Sequence, residues 1–191
     1  MSTGKIWLSS DPHLFHNKPF IYEARGFKTI EEMNWNIIKN YQDTVDYDDE
    51  FYILGDLILG GAQKTDEEIY KTLTQIPGHI HIILGNHDTD RRANIFRLLP
   101  QVLDVVYADK FDYGGLHFYL SHYPTITCNY DDDKGLRMRL FNLCGHTHTK
   151  DKWANWNTGS YHVEVDAHNC KPVDLDTIVE EIRDKYQKEQ R

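Results

Sequence analysis

The sequence predicts an α/β fold with mixed sheets. Three observations carry that reading. Strand-like and helix-like segments alternate through the first half of the chain. A run of strands with a period of two follows it. Four apolar strands then stop at Ser10-Asp11, Gly55-Asp56, Gly85-Asn86 and Gly145-His146, so that chemistry-bearing residues fall where α/β folds gather their sites.

Each element has a local reason. Lys5–Ser9 is a short apolar strand running into Asp11. Thr29-Ile-Glu-Glu32 is a capping box, in which the Thr oxygen and the Glu carboxylate satisfy each other's backbone N–H, and it opens a helix to about Thr44. Asp49–Leu54 is a buried strand stopped by Gly55. Thr65-Asp-Glu-Glu68 repeats the capping box and opens a helix to about Gln75, before Pro77-Gly78 breaks the chain. His79–Leu84 is a strand and Thr89–Leu98 a short helix. Val102–Tyr107, Lys110–Tyr113 and Leu116–Ser121 read as strands, with Gly114-Gly115 as a hairpin turn. Arg139–Cys144 and Tyr161–Val165 are further strands, Asp131–Gly135 is a polar loop, and Leu175–Lys188 is a helix capped by Asp174. The 191 residues read as a single domain, 1–191.

Composition narrows the function. The formal net charge is −9, which disfavours a broad nucleic-acid-binding face; no stable nucleic-acid partner is expected. No apolar run reaches a membrane span and no signal peptide is visible, so a cytoplasmic setting without a membrane partner is expected. Cys128, Cys144 and Cys170 are too scattered for a disulfide framework. Eleven His in an acidic chain direct attention to metal ligands.

The site candidates are Asp11-x-His13, Gly55-Asp56, Gly85-Asn86-His87-Asp88, His122 and Gly145-His146-x-His148. Carboxylate, amide oxygen and imidazole nitrogen make a mixed donor set suited to manganese, iron, nickel or zinc. With 20 Asp and 11 His, about one D-x-H arises by chance, and the chain has two, Asp11-Pro-His13 and Asp166-Ala-His168. G-H-x-H is expected about 0.04 times yet occurs at Gly78–His81 and Gly145–His148, whereas G-N-H-D is expected about 0.004 times and occurs once. His79 and His81 open a strand that carries Asn86 at its far end, roughly 20 Å away. They are therefore read as structural or exposed. Asp166 and His168 read as a turn, with an outer-shell role open. His117 reads as a strand-face residue, and His162 stays ambiguous. His16 is either a substrate contact or a loop residue. Arg91 and Arg92 read as helix-surface residues, with a phosphate contact as the alternative. Phe15, Phe20, Tyr22, Tyr123 and Tyr130 fall near the site loops as core or rim, one or two of them able to stack a nucleobase.

The order D-x-H, G-D, G-N-H-D, a His before Tyr-Pro and G-H-x-H resembles that of the calcineurin-like metallophosphoesterases, from about Ile6 to Pro172. Ser10-Asp-Pro-His-Leu-Phe-His16 and Gly145-His-Thr-His148 look like the small, cap-less bacterial and phage members. The resemblance implies a four-layer α/β sandwich with two mixed β-sheets flanked by helices. It implies two divalent ions, manganese first, with Asp11, His13 and His148 at one, Asn86, His122 and His146 at the other, Asp56 bridging both, and His87 as the catalytic non-ligand. It implies hydrolysis of phosphoesters by a metal-bridging hydroxide. The expected substrates are small phosphodiesters of nucleotide type, and a homo-oligomer is left open. Gly55-Asp56-Leu-Ile-Leu-Gly60-Gly61 lacks the second Asp and the Arg of the G-D-x-V-D-R-G pattern of protein phosphatases, which argues against that activity. A phosphomonoesterase, a nuclease or a non-catalytic metal-binding scaffold are the alternatives. The short Asn169–Arg191 segment is too small for a nuclease cap, and all seven ligand positions remain in place, against a scaffold.

Overall fold

Two five-stranded mixed sheets form the frame of the computed structural model, which describes residues 4–60, 64–125, 135–156 and 159–189. Cys128, Tyr130, Gly61 and most of the 131–135 loop lie outside the described residues. The first sheet runs β10-β1-β2-β3-β4, with β1 (Ile6–Ser9), β2 (Glu50–Leu54), β3 (His79–Ile83) and β4 (Val102–Val106) parallel and β10 (Val173–Asp174) antiparallel at its edge. The second runs β5-β6-β7-β9-β8, built from β5 (Ala108–Tyr113), β6 (Leu116–Ser121), β7 (Leu140–Cys144), β8 (Trp153–Asn155) and β9 (Ser160–His162). Strands β6, β7 and β9 are parallel and the two edges antiparallel.

The helices follow the sequence signals. In α2 (Ile30–Thr44), Thr29 accepts from Glu32 N–H, and Ile30, Met33, Ile37, Ile38 and Tyr41 form the buried stripe. In α3 (Asp66–Leu73) the capping box at Thr65 is complete, and Ile69 and Leu73 are buried. These join α4 (Asp90–Arg97) in covering one face of the first sheet, with Phe51, Ile53, Ile80 and Ile82 beneath them. The other face presents Leu8, Leu54 and Ile83 to Phe118, Leu120, Phe141 and Leu143 of the second sheet. The terminal helix α5 (Leu175–Glu189) buries Leu175, Ile178, Val179 and Ile182 in this second core, and Asp174 accepts from Asp176 N–H at its start. Short elements without a periodic signal were not expected: the one-turn helix α1 (Pro19–Tyr22), β8, β10 and a 3₁₀ turn at Leu136–Met138. The strand expected over Tyr161–Val165 is shorter, and Glu164 instead bridges Ser10. That bridge joins the sheets at the edge where β1, β2, β3, β6 and β7 all end.

Candidate metal centre

Parallel strands send their carboxyl ends to one edge, and the site is built there from the turns that follow β1, β2, β3, β6 and β7. Two of those turns are zipped together. Asp11 N–H donates to Gly55 O at 3.0 Å, His13 N–H to Asp56 O at 3.1 Å and Leu14 N–H to Leu57 O at 3.1 Å. Asp11, His13, Asp56, His146 and His148 all adopt left-handed backbone, with φ of 55°, 50°, 52°, 74° and 52°. A non-glycine residue there costs about 1–3 kcal/mol, a strain that accumulates where side chains must be aimed. The glycines before the ligands have a second reason to be glycine. A Cβ on Gly85 would strike the Asp56 carboxylate, and one on Gly145 would strike Ser10 Oγ and Asp11 Oδ2. Neither site residue could approach if those positions carried a side chain.

The structure brings all seven expected ligand positions together. Asp11 Oδ1 lies 3.6 Å from His13 Nε2 and 3.7 Å from His148 Nε2. Asp56 Oδ2 lies 3.5 Å from His13 Nε2 and 3.6 Å from His122 Nε2, between the two halves of the site. Asn86 Oδ1 is 2.9 Å from both His122 Nε2 and His146 Nδ1. Among the described residues, two groups are close enough to hold an ion: Asp11, His13 and His148, and Asp11, Asp56 and His122.

The imidazoles are aimed by partners behind them. His122 Nδ1 donates to Leu54 O at 2.9 Å, which leaves the Nε2 lone pair facing the site. His148 Nδ1 donates to Asp166 Oδ2 at 3.0 Å, with the same effect. Asp166 in turn is gripped by Arg25, whose Nε and Nη2 reach its two oxygens at 2.9 and 2.7 Å. Arg25 also donates to Asp11 O and Pro12 O. Burial alone would raise the Asp166 carboxyl, but the hydrogen bonds from His148 and Arg25 hold it well below the usual carboxylate range. Buried Glu164 accepts from His148 N–H, Thr149 N–H and Thr147 Oγ1, holding the Gly145–His148 loop. Sequence reasoning missed Arg25 and Glu164; for Asp166 it left open the supporting role that the contact with His148 fills.

Asp88 does not orient the ring of His87. Its Oδ2 accepts from Asp56 N–H at 2.8 Å and Gly85 N–H at 2.9 Å, so it braces the backbone beneath Asp56; burial pushes its carboxyl up to about 6. His87 N–H donates to Asp56 Oδ1, and Arg92 binds His87 O and Gly60 O. The His87 side chain is 42% exposed, with Nε2 3.9 Å from Asp56 Oδ2, so it stands at the mouth of the site. Arg91 pairs with Asp66 on the surface. His16 stacks on His13 at 5.6 Å, and burial pushes its imidazole down to about 4.

The remaining residues stand away from the centre. His79 and His81 pair with Glu50, and His81 also with Asp104, at the start of β3. His117 pairs with Asp112 on a strand face. His162 is buried, donating to Asp151 O and lying 3.3 Å from Thr147 Oγ1 behind the His146–His148 loop. His168 donates to His162 O within its turn.

Among the described residues, Asp11 Oδ1 and both ring nitrogens of His13 are buried without a hydrogen-bond partner, and Asp11 Oδ1 faces His13 Nε2 across 3.6 Å. A buried carboxylate oxygen left so is costly unless a cation meets it, and the mixed oxygen and nitrogen set fits divalent transition ions.

Comparison with known proteins agrees with this geometry. The family model of the calcineurin-like phosphoesterases matches residues 4–188. The chain belongs to the calcineurin-like phosphoesterases. Among relatives of this phosphoesterase, an uncharacterized protein of Methanocaldococcus jannaschii is 34% identical over 185 residues, covering 94% of this chain and 92% of that protein. The gene 66 protein of Mycobacterium phage D29 is 28% identical, covering 90% of this chain and 93% of its own. A solved structure of a protein of unknown function from Aquifex aeolicus superposes with a TM-score of 0.67 at 20% identity, covering 93% of this phosphoesterase and 98% of that chain, which shows the shared fold. No helix among the described residues is long and apolar enough to cross a membrane.

Proposed function

We propose that this phosphoesterase hydrolyses small phosphodiesters with two divalent ions held at the centre, manganese first among them. One observation carries the reading: unpartnered Asp11 Oδ1 and His13 Nε2 sit within 3.6 Å of each other, with Asp56 Oδ2 3.5 Å from the same nitrogen. In this reading Asp11, His13 and His148 hold one ion, Asn86, His122 and His146 the other, and Asp56 both. Bound there, the ions would supply a hydroxide nucleophile and neutralise the phosphoryl oxygens.

The chain's own residues do the rest. Asp56 Oδ1 and Arg92 fix the His87 backbone, and the half-exposed ring meets His13 edge-on at 5.7 Å at the mouth of the site. As oxygen adds to phosphorus, the P–O bond to the leaving group breaks and its electron pair goes to the leaving oxygen. His87 delivers a proton to that oxygen, giving an alcohol and a phosphomonoester. Two carboxylates against two divalent ions leave the centre positive although the chain carries −9. An ionised phosphodiester is therefore attracted locally.

The test is hydrolysis by the manganese-loaded protein of bis-p-nitrophenyl phosphate against p-nitrophenyl phosphate. The diester is expected to be preferred. His87→Ala is expected to keep its metal and to slow poor leaving groups by roughly 10²–10⁴-fold, with a smaller loss for p-nitrophenolate. Preference for the monoester would overturn the diester reading. Loss of one ion in His87→Ala would make His87 a ligand rather than an acid.

A further inference from the structure

Each half of the centre ends in an exposed aromatic ring. On the first side, the His16 ring stacks on His13 with an interplanar angle of 25°, and Phe20 meets His16 edge-on at 5.8 Å and 88°. On the second side, Tyr123 meets His146 at 4.6 Å and His122 at 5.1 Å, both edge-on. Phe20 is 69% exposed and Tyr123 50% exposed. Single exposed aromatics are ordinary. Here, however, Tyr123 touches two of the expected ligand imidazoles, His122 and His146, and Phe20 touches His16, which stacks on a third, His13. Phe15 and Tyr22, from the same stretch of sequence as Phe20, pack against the core instead. Both rims are anchored: Phe20 lies in the turn of α1, and Ser121 Oγ donates to Tyr123 O at 2.7 Å.

We propose that the centre takes a diester whose two arms each carry a flat unsaturated ring, a dinucleoside phosphate, with one base on Phe20 and the other on Tyr123. This rests on the phosphodiesterase reading and names its substrate class. A monoester has one arm and would use one platform. The charges around the site favour a short substrate. Arg25 is engaged by Asp166, Arg91 by Asp66, and Arg92 by His87 O and Gly60 O, while Lys18 stands beside His16. A polynucleotide needs a row of free cations along its backbone, and an acidic chain repels it. Stacking on an aromatic platform tolerates any base, so the platforms select for rings and not for sequence.

The test uses metal-loaded wild type, Phe20→Ala, Tyr123→Ala and Phe20→Leu, which keeps bulk without a ring. Steady-state kinetics on a dinucleoside phosphate are compared with calorimetric binding of the corresponding phosphorothioate. Inhibition by inorganic phosphate reports the metal centre separately. Each single change is expected to raise KM and Kd for the dinucleoside by about tenfold or more. Values of kcat should stay within a few-fold and phosphate inhibition should not move. Unchanged KM and Kd in both alanine variants would overturn the proposal, as would equal losses for phosphate and dinucleoside. Ring-dependent binding without turnover would instead overturn the hydrolase reading and leave the platforms standing.

Discussion

His148 Nδ1 donates to Asp166 Oδ2 across 3.0 Å, and this contact turns the other ring nitrogen toward Asp11 Oδ1, 3.7 Å away. Partners of this kind fix the tautomer and orientation of a metal-binding imidazole. Asp166→Ala is therefore expected to weaken binding of one of the two ions by roughly 10–100-fold while sparing the other. Metal titration followed by elemental analysis checks this. Equal affinity for both ions in the variant would remove Asp166 from the account.

The second G-H-x-H pair serves β3 and its neighbours. His79 and His81 pair with Glu50 and Asp104, at the end of the strand opposite Asn86. His79→Ala/His81→Ala is expected to leave turnover within a few-fold of wild type. A loss comparable to that of His146→Ala would show that the wrong pair was assigned to the site.

Asp49 ties the start of the first sheet to the turn before β2. Its Oδ1 accepts from Lys5 N–H at 2.7 Å, and its Oδ2 from Trp7 Nε1–H at 2.8 Å and Asp46 N–H at 3.0 Å. Burial opposes ionisation, but these hydrogen bonds prevail and hold the carboxyl below its ordinary value. A depressed carboxylate contributes stability that is present above its unfolded pKa and lost as pH falls through the folded one. Asp49→Ala should cost about 1–3 kcal/mol at pH 7. The gap from wild type should narrow as the pH falls below about 4. Urea unfolding across that range measures it; a gap that widens in acid would contradict the assignment.

The residues that gather at the site were legible in the sequence because each signal is local. Gly55-Asp56, Gly85-Asn86 and Gly145-His146 announce a strand end and the residue aimed beyond it. The parallel order that brings those ends to one edge follows from the strand–helix alternation. The supporting residues were not legible. Arg25 reaches Asp166 across 141 positions, and Glu164 reaches the backbone of His148 across 16, with no periodic signal at either. Asp166-x-His168 does match a ligand motif, but by chance spacing. Its Asp serves His148, while its His bonds to His162 O inside the turn. Strands β8 and β10, of 3 and 2 residues, are too short to show alternation and exist through the partners they pair with.

The central claim is that two ions share Asp56, whose Oδ2 stands 3.5 Å from His13 Nε2 and 3.6 Å from His122 Nε2. The direct measurement is metal stoichiometry and diester turnover, on one preparation each of wild type and Asp56→Asn, after stripping and reloading with manganese. The account predicts two ions per wild-type chain. It predicts that Asp56→Asn loses bound metal and turnover together, because a shared ligand supports both sites. An Asp56→Asn protein that keeps two tightly bound ions and normal turnover would contradict it.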